Sequence, residues 1–283
     1  MNPIGANTWI WVSPLTDERL AALAPRLAGW GFDVAELPLE DLDDWDHERA
    51  AALLDELGLG ATVCAVMPHH RDLTSDDPET VRRTQDYLRG CVDAAVTVGS
   101  RVVGGPMYAP VGHTPLLDAE ARELTMARVA EGLKPVADYA GERGVRLGIE
   151  ALNRYETSLC NTVEQLLDLC ERVGSDAAGI MLDVYHMNIE ERGIGDAIRA
   201  AGDRVAHVQV CGNDRGTPGG DHLDWDGIAA ALRDIGYDGA VCIESFTSEN
   251  RAIATAASIW RPLAPTQDAL ATEGLAFLRR LLA

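Results

Sequence analysis

Ile180-Met-Leu-Asp183-Val-Tyr-His186-Met-Asn-Ile-Glu-Glu191 is the stretch whose reading decides the architecture. An apolar run ends in a carboxylate, a histidine follows three residues later, and acidic residues come next. Val145-Arg-Leu-Gly-Ile-Glu150, Val205-Ala-His-Val-Gln209-Val210 and Ala240-Val-Cys-Ile-Glu244 repeat the plan: a hydrophobic strand carrying one polar group near its C-terminal end. The four polar positions are separated by 33, 26 and 35 residues, close to the ~30 residues of one strand-helix-strand unit.

Working outward, the same alternation covers the chain. Ile4 to Trp11 reads as a first strand, followed by a helix with Leu20, Leu23, Leu27 and Trp30 on one face and Gly31 at its end. Phe32 to Leu37 is a second strand finishing on Glu36, and a helix over about 47–57 stops at Gly58. Residues 61–66 form a third strand. Asp77-Pro78 then opens a helix that runs to Gly99. A fourth strand at 101–104 leads into a Gly/Pro-rich loop at 105–112, and the helix over about 118–143 should kink at Pro135. Thr162 and Gln165 form a capping-box pattern, Asp224 caps a later helix, and a helical tail completes the chain to Ala283.

Eight strands alternating with helices, without linkers or a shift in composition, predict an α/β fold. The expected form is a (β/α)8 TIM barrel with an all-parallel, closed eight-stranded sheet as a single domain over 1–283. No G-x-G-x-x-G follows the first strand, which argues against a dinucleotide fold.

Composition narrows the function. With 47% hydrophobic and 24% charged residues the 283-residue chain can build a large core. The net charge of −21 and the lack of any Lys/Arg cluster exclude nucleic acid as a partner. Six cysteines without a C-x-x-C spacing read as reduced core residues, and neither a signal segment nor an 18-residue apolar run is present. The expectation is a cytoplasmic protein without membrane association.

In an eight-fold barrel the functional groups sit at the C-terminal ends of the strands. Glu150, Asp183, Gln209 and Glu244 meet that rule, and their oxygens suit a hard divalent ion, Mn²⁺ first, with Mg²⁺ or Co²⁺ as alternatives. Such an ion stabilises the enediolate formed when the carbon next to a ketone loses its proton. Glu150 and Glu244, on strands either side of it, would be the catalytic pair that removes and returns the proton.

The chain resembles the xylose-isomerase-like sugar epimerase and isomerase superfamily, in particular the D-tagatose 3-epimerase and D-allulose (psicose) 3-epimerase group. The residues that carry the likeness are Gly31 to Glu36, Glu150 to Glu156 with Leu159-Cys-Asn161, and Leu182 to Glu191. Asn213 to Gly219, Ile243 to Phe246 and Trp260-Arg261 add to it. The resemblance implies metal ligands at Glu150, Asp183, position 209 and Glu244, and sugar contacts from Glu156, His186 and Arg215. It also implies a homodimer or homotetramer acting on a small-molecule sugar. Members of the group present the second histidine of a His-x-His strand as third ligand, whereas this strand reads His207-Val-Gln209. Gln209 is the expected ligand and His207, two residues deeper on the same face, the substitute. The expected activity is inversion of the carbon beside the ketone of a ketose or keto-sugar. The alternative is a lyase that eliminates a β-leaving group from a keto-glycoside or keto-inositol after the same enolisation.

Overall fold

The computed structural model describes residues 2–283. Eight parallel strands close into a barrel in chain order: β1 (Ile4–Asn7), β2 (Val34–Leu39), β3 (Gly60–Ala65), β4 (Val102–Gly105), β5 (Arg146–Glu150), β6 (Ala178–Asp183), β7 (Val205–Val210) and β8 (Val241–Ile243). The ring is sealed where β8 pairs with β1 in the register Ile4↔Val241, Gly5↔Cys242 and Ala6↔Ile243. Gly5 has to be glycine at this seam, because a Cβ there would collide with the Cys242 sulfur. Gly104 is constrained from inside the barrel, where a Cβ would meet Met181 Sδ at 2.5 Å.

Among the described residues ten α-helices surround the sheet: α1 (Asp17–Trp30), α2 (His47–Leu57), α3 (Pro78–Thr97), α4 (Ala119–Gly141), α5 (Val163–Val173), α6 (Val184–Glu190), α7 (Ile194–Ala201), α8 (Trp225–Asp234), α9 (Arg251–Ala256) and α10 (Gln267–Leu281). Their starts and stops follow local chemistry. Thr162 and Gln165 make the reciprocal capping box of α5, Asp77 and Asp224 cap α3 and α8, and Gly31 and Gly58 end α1 and α2 with φ of 90° and 67°. α4 runs on through Pro135, where a kink was expected, as one continuous helix. The tail expected as one helical stretch is two, α9 and α10, parted by a segment containing Pro262 and Pro265.

Two strand ends differ from expectation. β1 stops at Asn7, not Trp11, because the Asn7 side chain accepts the Trp9 amide at 2.9 Å and turns Thr8–Ile10 into a 3-10 helix. β2 continues past Glu36 to Leu39, so Glu36 lies within the strand and fully inside the barrel. Main-core side chains fill the space between sheet and helices. A small separate cluster of Phe246, Ala254 and Ile259, with Trp9 and Ile253 against it, forms one wall of the mouth. No helix among the described residues is long and apolar enough to cross a membrane.

Candidate active site

Glu150 is the last residue of β5, Asp183 the last of β6, Gln209 the fifth of six in β7, and Glu244 follows β8 directly. Parallel pairing sets Asp183 beside Gln209 and Gln209 beside Cys242. All four side chains therefore gather at the C-terminal mouth, and each residue is at most 6% exposed. Glu150, Gln209 and Glu244 line a cavity of about 580 Å³ that also takes in Glu156, Tyr185, His186, Arg215 and Phe246; Asp183 lies behind His186 and Arg215.

Asp183 serves two structures at once. Its Oδ1 accepts the Tyr185 amide at 2.8 Å and so starts α6, which leaves Oδ2 for the site. One turn on, the same helix presents His186, whose Nε2 lies 3.5 Å from Asp183 Oδ2 and 3.6 Å from Glu150 Oε1. One donor atom each from Glu150, Asp183 and His186 falls within 4.8 Å of the others.

His186 Nδ1 accepts the Asn153 amide at 3.0 Å. A neutral ring that accepts there carries its proton on Nε2, facing the two carboxylates. Arg215 Nη2, 3.0 Å away, then meets that proton donor to donor and is left without an acceptor on this side.

Arg215 does not sit at the surface as a loop arginine ordinarily would. It is buried, with φ of 68°, between the rings of Tyr185 and Phe246 at 4.2 and 4.8 Å. Its Nη1 donates to Asp183 Oδ2 at 2.6 Å and to Glu244 Oε2 at 2.9 Å. One guanidinium thus faces three buried carboxylates, and the acids remain in excess.

That excess is visible in their protonation. Burial, then the charges of Glu244 and Asp183, pushes the Glu150 carboxyl well above its usual range. Burial also raises Glu244, to about 8, against the opposing pull of Arg215. Burial lowers His186, keeping the imidazole neutral, although Asp183 draws it the other way.

Beneath the mouth lies a second polar layer. Glu36 receives His207 Nε2 at 2.5 Å, Gln209 Nε2 at 2.6 Å, Asn7 Nδ2 at 2.9 Å and Thr62 Oγ1 at 3.1 Å. Burial would raise this carboxyl, but the charge of His207 and the donors around it hold it below its ordinary value. Cys242 also lies within 4.8 Å of Glu36 and His207, yet Glu36 already spends both oxygens on these neighbours, so the trio reads as packing. His207 is therefore a partner of Glu36, below the site rather than in it.

Gln209 connects the layers. Its Nε2 donates to Glu36 and, at 3.1 Å, to Glu244 Oε1, while its Oε1 is buried and accepts nothing. Turning the amide over would press its oxygen onto two carboxylate oxygens, so the orientation is fixed. A buried carbonyl left without a donor costs about 1–3 kcal/mol, which a cation would relieve. With the surplus carboxylates, this orphaned oxygen makes the donor set fit a hard divalent ion.

The loop after β5 brings Glu156 to the cavity, where Asn153 Nδ2 donates to its Oε1 at 2.8 Å. The loop after β4 holds it there through Gly112, whose amide donates to the Glu156 carbonyl. The sequence reading did not single out Asn7, Asn153, Tyr185 or Phe246. Asn7 left one signal, a lone amide closing an apolar run.

The model of the xylose isomerase-like TIM barrel matches residues 25–281. Over 278 residues the chain is 34% identical to a probable ketose 3-epimerase of Synechocystis sp., spanning 98% of this chain and 95% of that one. It is 35% identical over 247 residues to a D-psicose 3-epimerase of Enterocloster bolteae, spanning 85% and 81%. The crystal structure of a D-allulose 3-epimerase from Methylomonas sp. in complex with D-allulose superposes with a TM-score of 0.92 at 30% identity, over 99% of this chain and 96% of that one. Fold, strand-end chemistry and full-length similarity agree, and the chain belongs to the xylose isomerase-like TIM barrel family.

Proposed function

We propose that this protein is a ketose 3-epimerase, inverting the carbon beside the ketone of a ketose or keto-sugar through an enediolate. The observation that carries the reading is the pairing of Glu150 and Glu244, two buried carboxyls that line one cavity from the strands flanking those of Asp183 and Gln209. Similarity to proteins named ketose and D-psicose 3-epimerases supports it.

A divalent cation, Mn²⁺ first and Mg²⁺ or Co²⁺ as alternatives, held by Glu150, Asp183, Gln209 Oε1 and Glu244, would supply Lewis-acid stabilisation of negative charge on the substrate oxygens. The protein's own groups do the rest. One of Glu150 and Glu244 takes the proton from the carbon beside the ketone, and the other delivers a proton to the opposite face. His186 Nε2–H and the free side of Arg215 Nη2 hold the carbonyl and its neighbouring hydroxyl, and Glu156 accepts from a further hydroxyl.

The β-eliminating alternative shares the same enolisation, and the similarity to proteins named as epimerases favours inversion over it. With the epimerase reading go a single barrel domain over 1–283, a cytoplasmic location and a homodimer or homotetramer.

The test is incubation with a panel of ketoses in D₂O with Mn²⁺. Deuterium gained at the inverted carbon without loss of mass supports the proposal; loss of water or of an aglycone, or no exchange with any ketose, overturns it. Glu244→Gln should lower exchange about 10²–10⁴-fold while the circular dichroism spectrum stays that of the parent.

A further inference from the structure

The sequence places an acid, Glu36, at the expected end of the second strand. With the strand running to Leu39, the acid that follows the C-terminal end of β2 is Glu40. That is the position where a barrel of this kind presents functional groups. β2 stands four places from β6 in the ring of eight, so Glu40 lies across the mouth from Asp183. Glu40, Trp9 and Ser13 line the same cavity that Glu150, Gln209 and Glu244 line.

Glu40 is held in place through one oxygen only. Its Oε1 accepts Trp9 Nε1 at 3.0 Å and Ser13 Oγ at 2.5 Å, while its Oε2 accepts no hydrogen bond from any described residue. A carboxylate fixed at one oxygen and unspent at the other is a prepared acceptor for a hydroxyl. Trp9, packed edge-on against Phe246 at 6.4 Å, adds apolar surface beside it. The 3-10 turn that Asn7 imposes after β1 brings Trp9 to this place.

The volume exceeds what a sugar's reacting end needs, since cavities of this size enclose ligands larger than three or four carbons and their oxygens. We propose that Glu40 and Trp9 form a distal subsite that receives the end of the ketose remote from its carbonyl. There Glu40 Oε2 accepts a hydrogen bond from a hydroxyl. The subsite makes Glu40 a specificity-determining residue, and it rests on the reading of this cavity as a ketose site.

The test uses the full-length, Mn²⁺-loaded protein and titration calorimetry with D-allulose and its 5-deoxy and 6-deoxy analogues. The parent should bind D-allulose about 10- to 100-fold more tightly than at least one analogue, the worth of a hydrogen bond to a charged acceptor. In Glu40→Ala that gap should close through weaker binding of D-allulose, and in Glu40→Gln, which keeps the shape, it should narrow. Equal affinities in the parent, or a gap that survives in both variants, would overturn the subsite. Deuterium exchange on the same samples separates the two readings. A gap without exchange sinks the epimerase and leaves the subsite, exchange without a gap does the reverse, and no binding of D-allulose removes both.

Discussion

Glu36→Gln replaces one atom in the polar layer under the mouth. The native carboxylate accepts four donors, His207 and Thr62 on Oε1 and Asn7 and Gln209 on Oε2. A glutamine can keep one of these pairs but must turn its NH₂ against the other, leaving two buried donors facing a third. Breaking a buried charged network from one side costs about 3–5 kcal/mol. For a chain of 283 residues each kcal/mol moves the melting temperature by about 2 °C, so Tm should fall by about 6–10 °C. Urea unfolding followed by tryptophan fluorescence measures the change, and a constant m-value shows that the unfolded reference has not moved. The companion variant Glu36→Leu/His207→Leu removes both members of one pair and should lose less stability than the two single leucine variants added together. A loss below 1 kcal/mol in Glu36→Gln, or strictly additive effects of the two leucines, would refute the account of this layer as a coupled network.

Gln209→Leu deletes the unpartnered Oε1 and the link between the layers; calorimetry with Mn²⁺ should show at least a tenfold loss of affinity, and unchanged binding would remove Gln209 from the proposed ligands. Arg215→Lys keeps the charge but cannot reach Asp183 and Glu244 while also presenting a second amino group, so kcat/KM for a ketose should fall about 10- to 100-fold; near-parent turnover would mean that the fork geometry is unused. Asp33 is held below its ordinary value of 3.8 because Arg279 and the Ile4 amide outweigh its burial. A lowered carboxyl stabilises the fold above its unfolded-state pKa, and the contribution disappears as pH falls through the folded value. Asp33→Asn should therefore flatten the stability curve below about pH 4, and identical acid limbs in urea titrations of the two proteins would contradict this.

The barrel was legible because four strands carry their polar residue at the same end, spaced by one strand-helix unit. The strand limits were not. In β2 all six residues are buried, as befits a strand covered on both faces, so no alternation marks where it stops and Glu36 could pass for its last residue. His207 was recognisable as facing the same way as Gln209, but its partner lies 171 residues away and only closure of the sheet joins them. Arg215 gave the least warning. Gly216, Pro218, Gly219 and Gly220 beside it spell an exposed turn, and it is the rings of Tyr185 and Phe246, from two other segments, that cover it.

The seam between the first and last strands carries a consequence for how the chain is made. A closed ladder offers no unpaired rim to a neighbouring molecule, so the finished sheet is no template for strand addition. Only three residues, Val241–Ile243, complete it, and they follow the other seven strands in the chain. Until they arrive, β1 and β7 each show a naked row of amides and carbonyls, and self-association belongs to that interval. A nascent or truncated chain ending before Val241 should therefore need chaperone shelter that the sealed barrel does not.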